Sequence, residues 1–373
     1  MDMKTKISVL HFSQVNGGVE RYLKLFLKFS DKNKFVNSII SPEIVNYNIY
    51  NYLINNSYEV NIKQSFSIIK LFKNVLYIRN IIKQEKPDIL YLHSTFAGVI
   101  GRLAAIGCGC KVVYNPHGWS FKMNVVDAKK CVYKIIEYIL SFLANKIVTI
   151  SQSEYNAGKQ IFINKNKLEL IYNGIDTSEN NSVESLRLTH ITDRYVIGMV
   201  GRISEQKNPL FFVEFAKAVH EQYPNSFFII VGDGELKETV LEKIQEYNLV
   251  DNFLITGWVT NPESYIRLFD QAVLFSKWEG FGLAVAEYML LKKPIIISDI
   301  DGMSELITDS VNGIKVELND ISMAVLKSNM LRKNKDFSVY LGENAYSTVK
   351  RKFSAENQTR LLEKLFEQLM VEK

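Results

Sequence analysis

A chain of 373 residues, 47% apolar with 12% aromatics, has the material for two buried cores, which excludes disorder. The formal net charge of +5 is unevenly held: residues 1–178 carry 23 Lys+Arg against 12 Asp+Glu, and residues 179–373 carry 22 against 28. An acidic partner for the first half alone is implied; scattered lysines without interleaved aromatics disfavour nucleic acid and favour an anionic membrane surface.

Three cysteines (Cys108, Cys110, Cys131) lack C-x-x-C spacing, which argues against a disulfide framework and structural zinc and suits the cytoplasm. The apolar run near the start is too short for a secretory signal. No stretch reaches the roughly eighteen apolar residues of a membrane span. The run at 135–144 is broken by Glu137.

Residues 6–12 (KISVLHF) read as a strand, followed by Gly17-Gly18 in a turn and a helix over 22–29. The glycine pair lacks the G-x-G-x-x-G spacing of a dinucleotide site. A strand at 35–41 and a helix at 49–56 precede a long helix at 67–83. There Ile68, Leu71, Phe72, Val75, Leu76 and Ile82 recur at helical spacing, with Lys70 and Lys73 opposite. This predicts a sheet-covering helix; a basic interfacial helix is the alternative. Strands at 88–93 and 111–119 follow, the second ending in His117-Gly118, where open α/β sheets bind ligands. Then come an apolar helix at 129–144 that begins with Lys129, Lys130 and Lys134, a strand at 146–150, and Ser151 as an N-cap. A strand at 168–172 leads to Asn173-Gly174-Ile175-Asp176.

The polar stretch TSENNSVESLRLTHITDR reads as a domain boundary, after which the alternation restarts. Strand ends of the second half carry Gly201, Arg202, Lys207 and Asn208, then GDGE at 232–235, Gly257-Trp258, and Gly302 with Glu305. The pivotal stretch is SKWEGFGLAVAE, 276–287. A strand at 271–276 precedes it and a helix at 283–291 completes it. Such a strand–turn–helix passage aims free backbone N–H groups at an anion, and Gly280 and Gly282 admit a ligand close to the backbone. Glu279 and Glu287 add acceptors for hydroxyl groups. Fixed cations, N–H donors and carboxylates together suit a nucleoside diphosphate sugar.

With these residues in view, the chain resembles the group 1 (family 4) retaining glycosyltransferases of the GT-B fold along nearly its whole length. The matching positions are Gly17-Gly18, His117-Gly118, Asn173 to Asp176, Gly201-Arg202 with Lys207-Asn208, Glu279 to Glu287 as E-x7-E, and Gly302 with Glu305. The resemblance and the alternation imply an α/β chain of two facing, doubly wound Rossmann-like domains with a cleft between them. The first, 1–176, would bind the acceptor; the second, 177–354, would bind the donor; the last helix, about 355–373, would pack back on the first.

The resemblance also implies roles. Arg202 and Lys207 would hold the diphosphate, and Glu279, with the backbone of Gly280, Phe281, Gly282 and Leu283, would position the hexose. Glu287 would take the ribose. Trp258 and Val259 would face the base, His117 would lie near the sugar and the acceptor, and Gly17, Gly18 and Gly201 would approach the donor. The implied partners are a nucleotide-sugar donor, expected to be a UDP-sugar, and a lipid-linked or oligosaccharide acceptor. No cofactor or metal is expected; Asp299-Ile300-Asp301 reads as a loop and not as a metal-binding D-x-D. A sugar-nucleotide epimerase and a non-catalytic sugar-nucleotide-binding subunit are the alternatives.

Overall fold

The computed structural model describes residues 6–13, 18–41, 52–60, 67–123, 126–178, 186 and 191–371. The chain divides into two compact units, Met1–Asp176 with Ala355–Lys373, and Thr177–Ser354.

The first unit runs β1 (Ile7–Phe12), α1 (Gly18–Phe29), β2 (Phe35–Ser41), β3 (Ser57–Glu59), α2 (Ile68–Glu85) and β4 (Ile89–His93). It continues through α3 (Thr95–Ala104), β5 (Lys111–Asn115), α4 (Asp127–Ser141), β6 (Lys146–Thr149), α5 (Gln152–Gln160) and β7 (Leu168–Leu170). The strands pair in parallel in the order β3-β2-β1-β4-β5-β6-β7, so the winding reverses between β1 and β4. Strands buried on both faces read as apolar runs, which is why the sequence shows them. Alternation sends Leu10, Phe12, Leu90, Leu92 and Tyr114 into one core with α2, α3 and α5. Val9, Ile39, Ile89 and Tyr91 enter a second core with α1.

Helix α2 is turned differently from the expectation. On α2, Ile78, Ile81 and Ile82 are buried, whereas Phe72 and Leu76, expected on the covered side, are exposed beside Ile69 and Tyr77. On α4 the carboxylate of Glu137 is buried while Val132, Ile135, Ile139 and Phe142 face outward. On α4 the cause is Arg102 of α3, which is fully buried and needs a counter-charge. Glu137 supplies it at 2.9 Å and also accepts the Tyr114 hydroxyl at 2.9 Å. Over 52–56, where a helix is expected, the chain makes turns; 49–51 lie outside the described residues.

The second unit runs β8 (Tyr195–Val200), α6 (Pro209–Gln222), β9 (Ser226–Val231), α7 (Lys237–Glu246), β10 (Phe253–Ile255) and α8 (Glu263–Ile266). Then come β11 (Gln271–Leu274), α9 (Leu283–Leu290), β12 (Ile295–Ser298), β13 (Ile314–Val316), α10 (Ile321–Lys333) and α11 (Lys335–Lys352). Its parallel sheet has the order β10-β9-β8-β11-β12-β13, which reverses between β8 and β11. Those two strands pair only at Gln271–Ile197 and Ala272–Gly198. Beyond that point the Val200 N–H donates to the Tyr288 hydroxyl of α9 at 2.6 Å, so the strands part and leave a crevice at their C-terminal ends.

The final helix, α12 (Ala355–Val371), belongs to the first unit. It buries Leu362, Leu365, Phe366 and Leu369 in the α1 core, with the Phe366 ring against Phe26, Phe35 and Tyr91. Its first turns hold the loop after β7: Gly174 N–H donates to Gln358 Oε1 at 2.6 Å, and Ala355 N–H to the Ile175 carbonyl at 2.8 Å.

Candidate functional site

The turns leaving β8 and β11 are joined to each other. Lys277 N–H donates to the Gln206 carbonyl at 2.8 Å, and the Gln206 amide donates to the Trp278 carbonyl at 3.0 Å. Within this joint the Lys207 ammonium is ion-paired with Glu279, the two side chains being 16% and 8% exposed. Ser276 Oγ–H donates to the same carboxylate oxygen at 2.9 Å. The stem of Lys207 passes over Gly201, where a Cβ would stand 3.3 Å from three of its carbons.

Two glycines shape the turn that carries Glu279. Gly302, after β12, has φ +79, and a Cβ there would lie 2.5 Å from the Glu279 carbonyl oxygen and 2.6 Å from that of Gly280. Gly282, at φ +95, starts α9, whose first N–H groups at Leu283 and Ala284 have no intrahelical acceptor. Phe281 is buried with its ring 5.4 Å from that of Phe353, which anchors the turn. Glu287 follows on α9 and is buried. One cation, a helix N-terminus and carboxylate acceptors thus share the crevice end of the sheet. This set can hold a phosphate group and hydroxyl groups together.

Other expected residues have contacts or exposure of their own. Arg202 is exposed, with Nε 3.3 Å from Glu235 Oε2 beyond the end of β9. Trp258 and Val259 follow β10, two strands from β8; Trp258 is 71% exposed and Val259 half-buried. Asp299 accepts the Ser304 hydroxyl and lies 3.5 Å from the Lys315 ammonium.

In the first unit, His117 follows β5 in the left-handed conformation (φ +52), its N–H donated to Asn115 Oδ1 at 2.9 Å. Its Nε2 is 3.0 Å from His93 Nδ1, at the end of β4. His93 Nε2 is in turn 3.2 Å from His11 Nδ1 in β1. His11 Nε2 is 3.1 Å from Asn37 Oδ1 in β2. This row crosses the β1–β4 reversal with the rings nearly parallel, 16° and 25° apart. Burial lowers His11 to about 4 and His117 to about 3, and pulls His93 well below its ordinary value, so the row is neutral at pH 7. His11, His93 and Asn37 are not among the residues singled out from the sequence. The signal was a lone histidine near the C-terminal end of each of two otherwise apolar strands. Gly18 is the exposed first residue of α1, and Gly17 lies outside the described residues.

Residues 184–348 match the family model described as Glycosyl transferases group 1, and residues 16–179 match Glycosyltransferase Family 4. The chain is 33% identical over 270 residues to an Escherichia coli UDP-Gal:alpha-D-GlcNAc-diphosphoundecaprenol alpha-1,3-galactosyltransferase, covering 69% of this chain and 70% of that one. It is 24% identical to the Staphylococcus aureus capsular polysaccharide biosynthesis glycosyltransferase CapM, covering 83% and 84%. Among solved structures it is similar to Anabaena Alr3699/HepE in complex with UDP-glucose, with a TM-score of 0.80 at 17% identity, covering 97% and 100%.

Proposed function

Because the chain belongs to the group 1 glycosyltransferases, we propose that it moves a hexose from a UDP-sugar to a lipid-linked or polysaccharide acceptor, with retention at the anomeric carbon, in the synthesis of a bacterial cell-surface polysaccharide. The observation that carries this reading is the Lys207–Glu279 pair at the β8–β11 crevice, beside the N-terminus of α9. Lys207, with Arg202 brought in from its surface pairing, neutralises the diphosphate as its bond to the anomeric carbon breaks. Preorganised donors of this kind are each worth about 10²–10³ in rate. Glu279 and the turn backbone orient the hexose, Glu287 takes the ribose, and Trp258 and Val259 border the base. His117 serves the sugar and the acceptor.

On this reading the acceptor oxygen attacks the face the diphosphate leaves. The C1–O bond to the diphosphate breaks, the C1–O bond to the acceptor forms, and the acceptor proton passes to a phosphate oxygen. Lys207 supplies the fixed positive charge, so no divalent ion is needed in that step. Asp299 already has Ser304 and Lys315 as partners, which favours a structural role for that loop.

The outward faces of α2 and α4 support a membrane-bound acceptor. Ile69, Phe72, Ile135, Ile139 and Phe142 are exposed there, with Lys70, Lys73, Lys129 and Lys134 among them. Both helices cover the same face of the first sheet. No helix among the described residues is long and apolar enough to cross a membrane. An apolar, basic face suits the surface of an anionic bilayer at the cytoplasmic side.

The test is to incubate the purified protein with UDP-galactose or UDP-glucose and a diphosphoprenol-linked sugar, with and without chelator. The proposal expects UDP release that requires the acceptor, survives the chelator and gives an axial product linkage by NMR. An epimerised donor without acceptor, an inverted linkage, or activity lost with the chelator would each refute the corresponding part.

A further inference from the structure

The histidine row is one section of a longer chain of hydrogen bonds, and its direction is fixed at the far end. Glu363 of α12 presents a carboxylate, which only accepts. Ser30 Oγ therefore donates to Glu363 Oε1 at 3.0 Å, and the Asp31 N–H donates to the same oxygen at 2.7 Å. With its proton committed, Ser30 Oγ accepts from Asn37 Nδ2 at 3.3 Å. That orients the Asn37 amide and leaves its Oδ1 toward His11 Nε2. His11 must then carry its proton on Nε2 and accept at Nδ1. His93 is constrained in the same way, and so is His117. Each neutral ring has one donor and one acceptor nitrogen, so one tautomer propagates along the whole row.

We propose that His11, His93 and Asn37 are positioning residues that hold His117 as its Nε2–H tautomer, so that His117 Nδ1 acts as a hydrogen-bond acceptor for a hydroxyl group of the transferred sugar or the acceptor. The inference rests on the glycosyltransferase reading for its substrate, and on the hydrogen-bond chain alone for the tautomer. His117 Nδ1 takes no partner among the described residues, while every other ring nitrogen of the row is engaged. The left-handed backbone at His117 and the edge of the Tyr22 ring, 4.6 Å between centroids, hold the imidazole in this orientation. Without the row, a free imidazole would sample both tautomers, and the Nδ1–H form would present a donor where an acceptor is required.

The test is long-range proton–nitrogen NMR of the full chain labelled with [15N]histidine, at pH 7. All three histidines should show a protonated Nε2 and a bare Nδ1. Asn37→Leu, remote from the reacting groups, should give mixed tautomers at His11 and His117. Its kcat for transfer from UDP-galactose should fall about tenfold, the worth of roughly one hydrogen bond, with the KM for the donor unchanged. Asn37→Asp keeps the acceptor and should restore both the tautomer and most of the kcat. Should the leucine variant fail to fold, the tautomer of His117 in the wild type decides. An Nδ1–H or imidazolium His117 in the wild type overturns the inference, as does a wild-type kcat in Asn37→Leu with mixed tautomers. If the NMR signature is found and no UDP-sugar is turned over, the glycosyltransferase reading of the substrate fails and the tautomer assignment stands.

Discussion

Lys207 and Glu279 lie 72 positions apart in the chain and form an ion pair at the crevice of the second sheet, with Ser276 as the third member. Glu279 thereby neutralises much of the charge that Lys207 would offer a diphosphate. Glu279→Gln keeps an acceptor for Ser276 and removes the competing charge. Free UDP should then bind at least as tightly as in the wild type, by up to about 1 kcal/mol, since the pair is largely out of solvent. Transfer should fall about a hundredfold, because the hexose loses its acceptor. Calorimetric titration with UDP decides the matter: binding weakened tenfold would mean that Glu279 does not oppose the diphosphate.

Gly302 and Gly201 both border this corner but should respond differently to a methyl group. At Gly302 the new Cβ meets two carbonyl oxygens of the Glu279 turn in a left-handed backbone. Gly302→Ala should therefore cost about 1–3 kcal/mol of stability and displace Glu279, with loss of transfer. At Gly201 the backbone is also at positive φ, +159, close to the extended region, and the neighbour is the flexible stem of Lys207, at 3.3 Å, which can yield. Gly201→Ala should remain closer to wild type in urea unfolding and in rate. The reverse ranking would contradict this reading of the turn.

The histidine row makes a prediction about acid. The ordinary histidine value of 6.5 is lowered to about 4 at His11 and about 3 at His117. Between those limits the unfolded chain binds more protons than the folded one. Their contribution is therefore full above pH 6.5 and is lost as pH falls through 4. The urea midpoint should drop between pH 7 and pH 4.5, and His11→Gln should drop less steeply. Parallel curves for the two proteins would show that His11 is not held neutral by the fold.

Membrane docking should depend on the outward faces of α2 and α4. Phe72→Glu with Ile135→Glu replaces two exposed apolar side chains, so the fold should be untouched. Co-sedimentation with vesicles containing anionic lipid should fall several-fold, while turnover of a soluble acceptor analogue stays unchanged. Vesicle binding equal to wild type would remove these faces from the proposal.

The parts legible in the sequence are those set by short-range pattern. Parallel strands such as Ile295–Ser298 read as apolar runs, and the turn Glu279 to Gly282 announces itself by its glycines. Helix α3 does not: Gly98 and Gly101 dilute its pattern because a Cβ at either would strike Tyr114 or Leu92 at under 2.5 Å. Helix α4 reads as a helix, but its inward face is not legible, because its orientation follows the buried Arg102 on another element. The pairing of Lys207 with Glu279, and the row His117–His93–His11, depend on which strands become neighbours at the two reversals. No local spacing carries that information.

The most direct measurement is the steady-state rate of hexose transfer by wild type, Lys207→Ala and Glu279→Ala, with circular dichroism on each. If the β8–β11 corner holds the departing diphosphate and the sugar, both variants stay folded and lose about 10²–10³ in rate. A folded Lys207→Ala or Glu279→Ala that transfers at close to the wild-type rate would place the chemistry elsewhere.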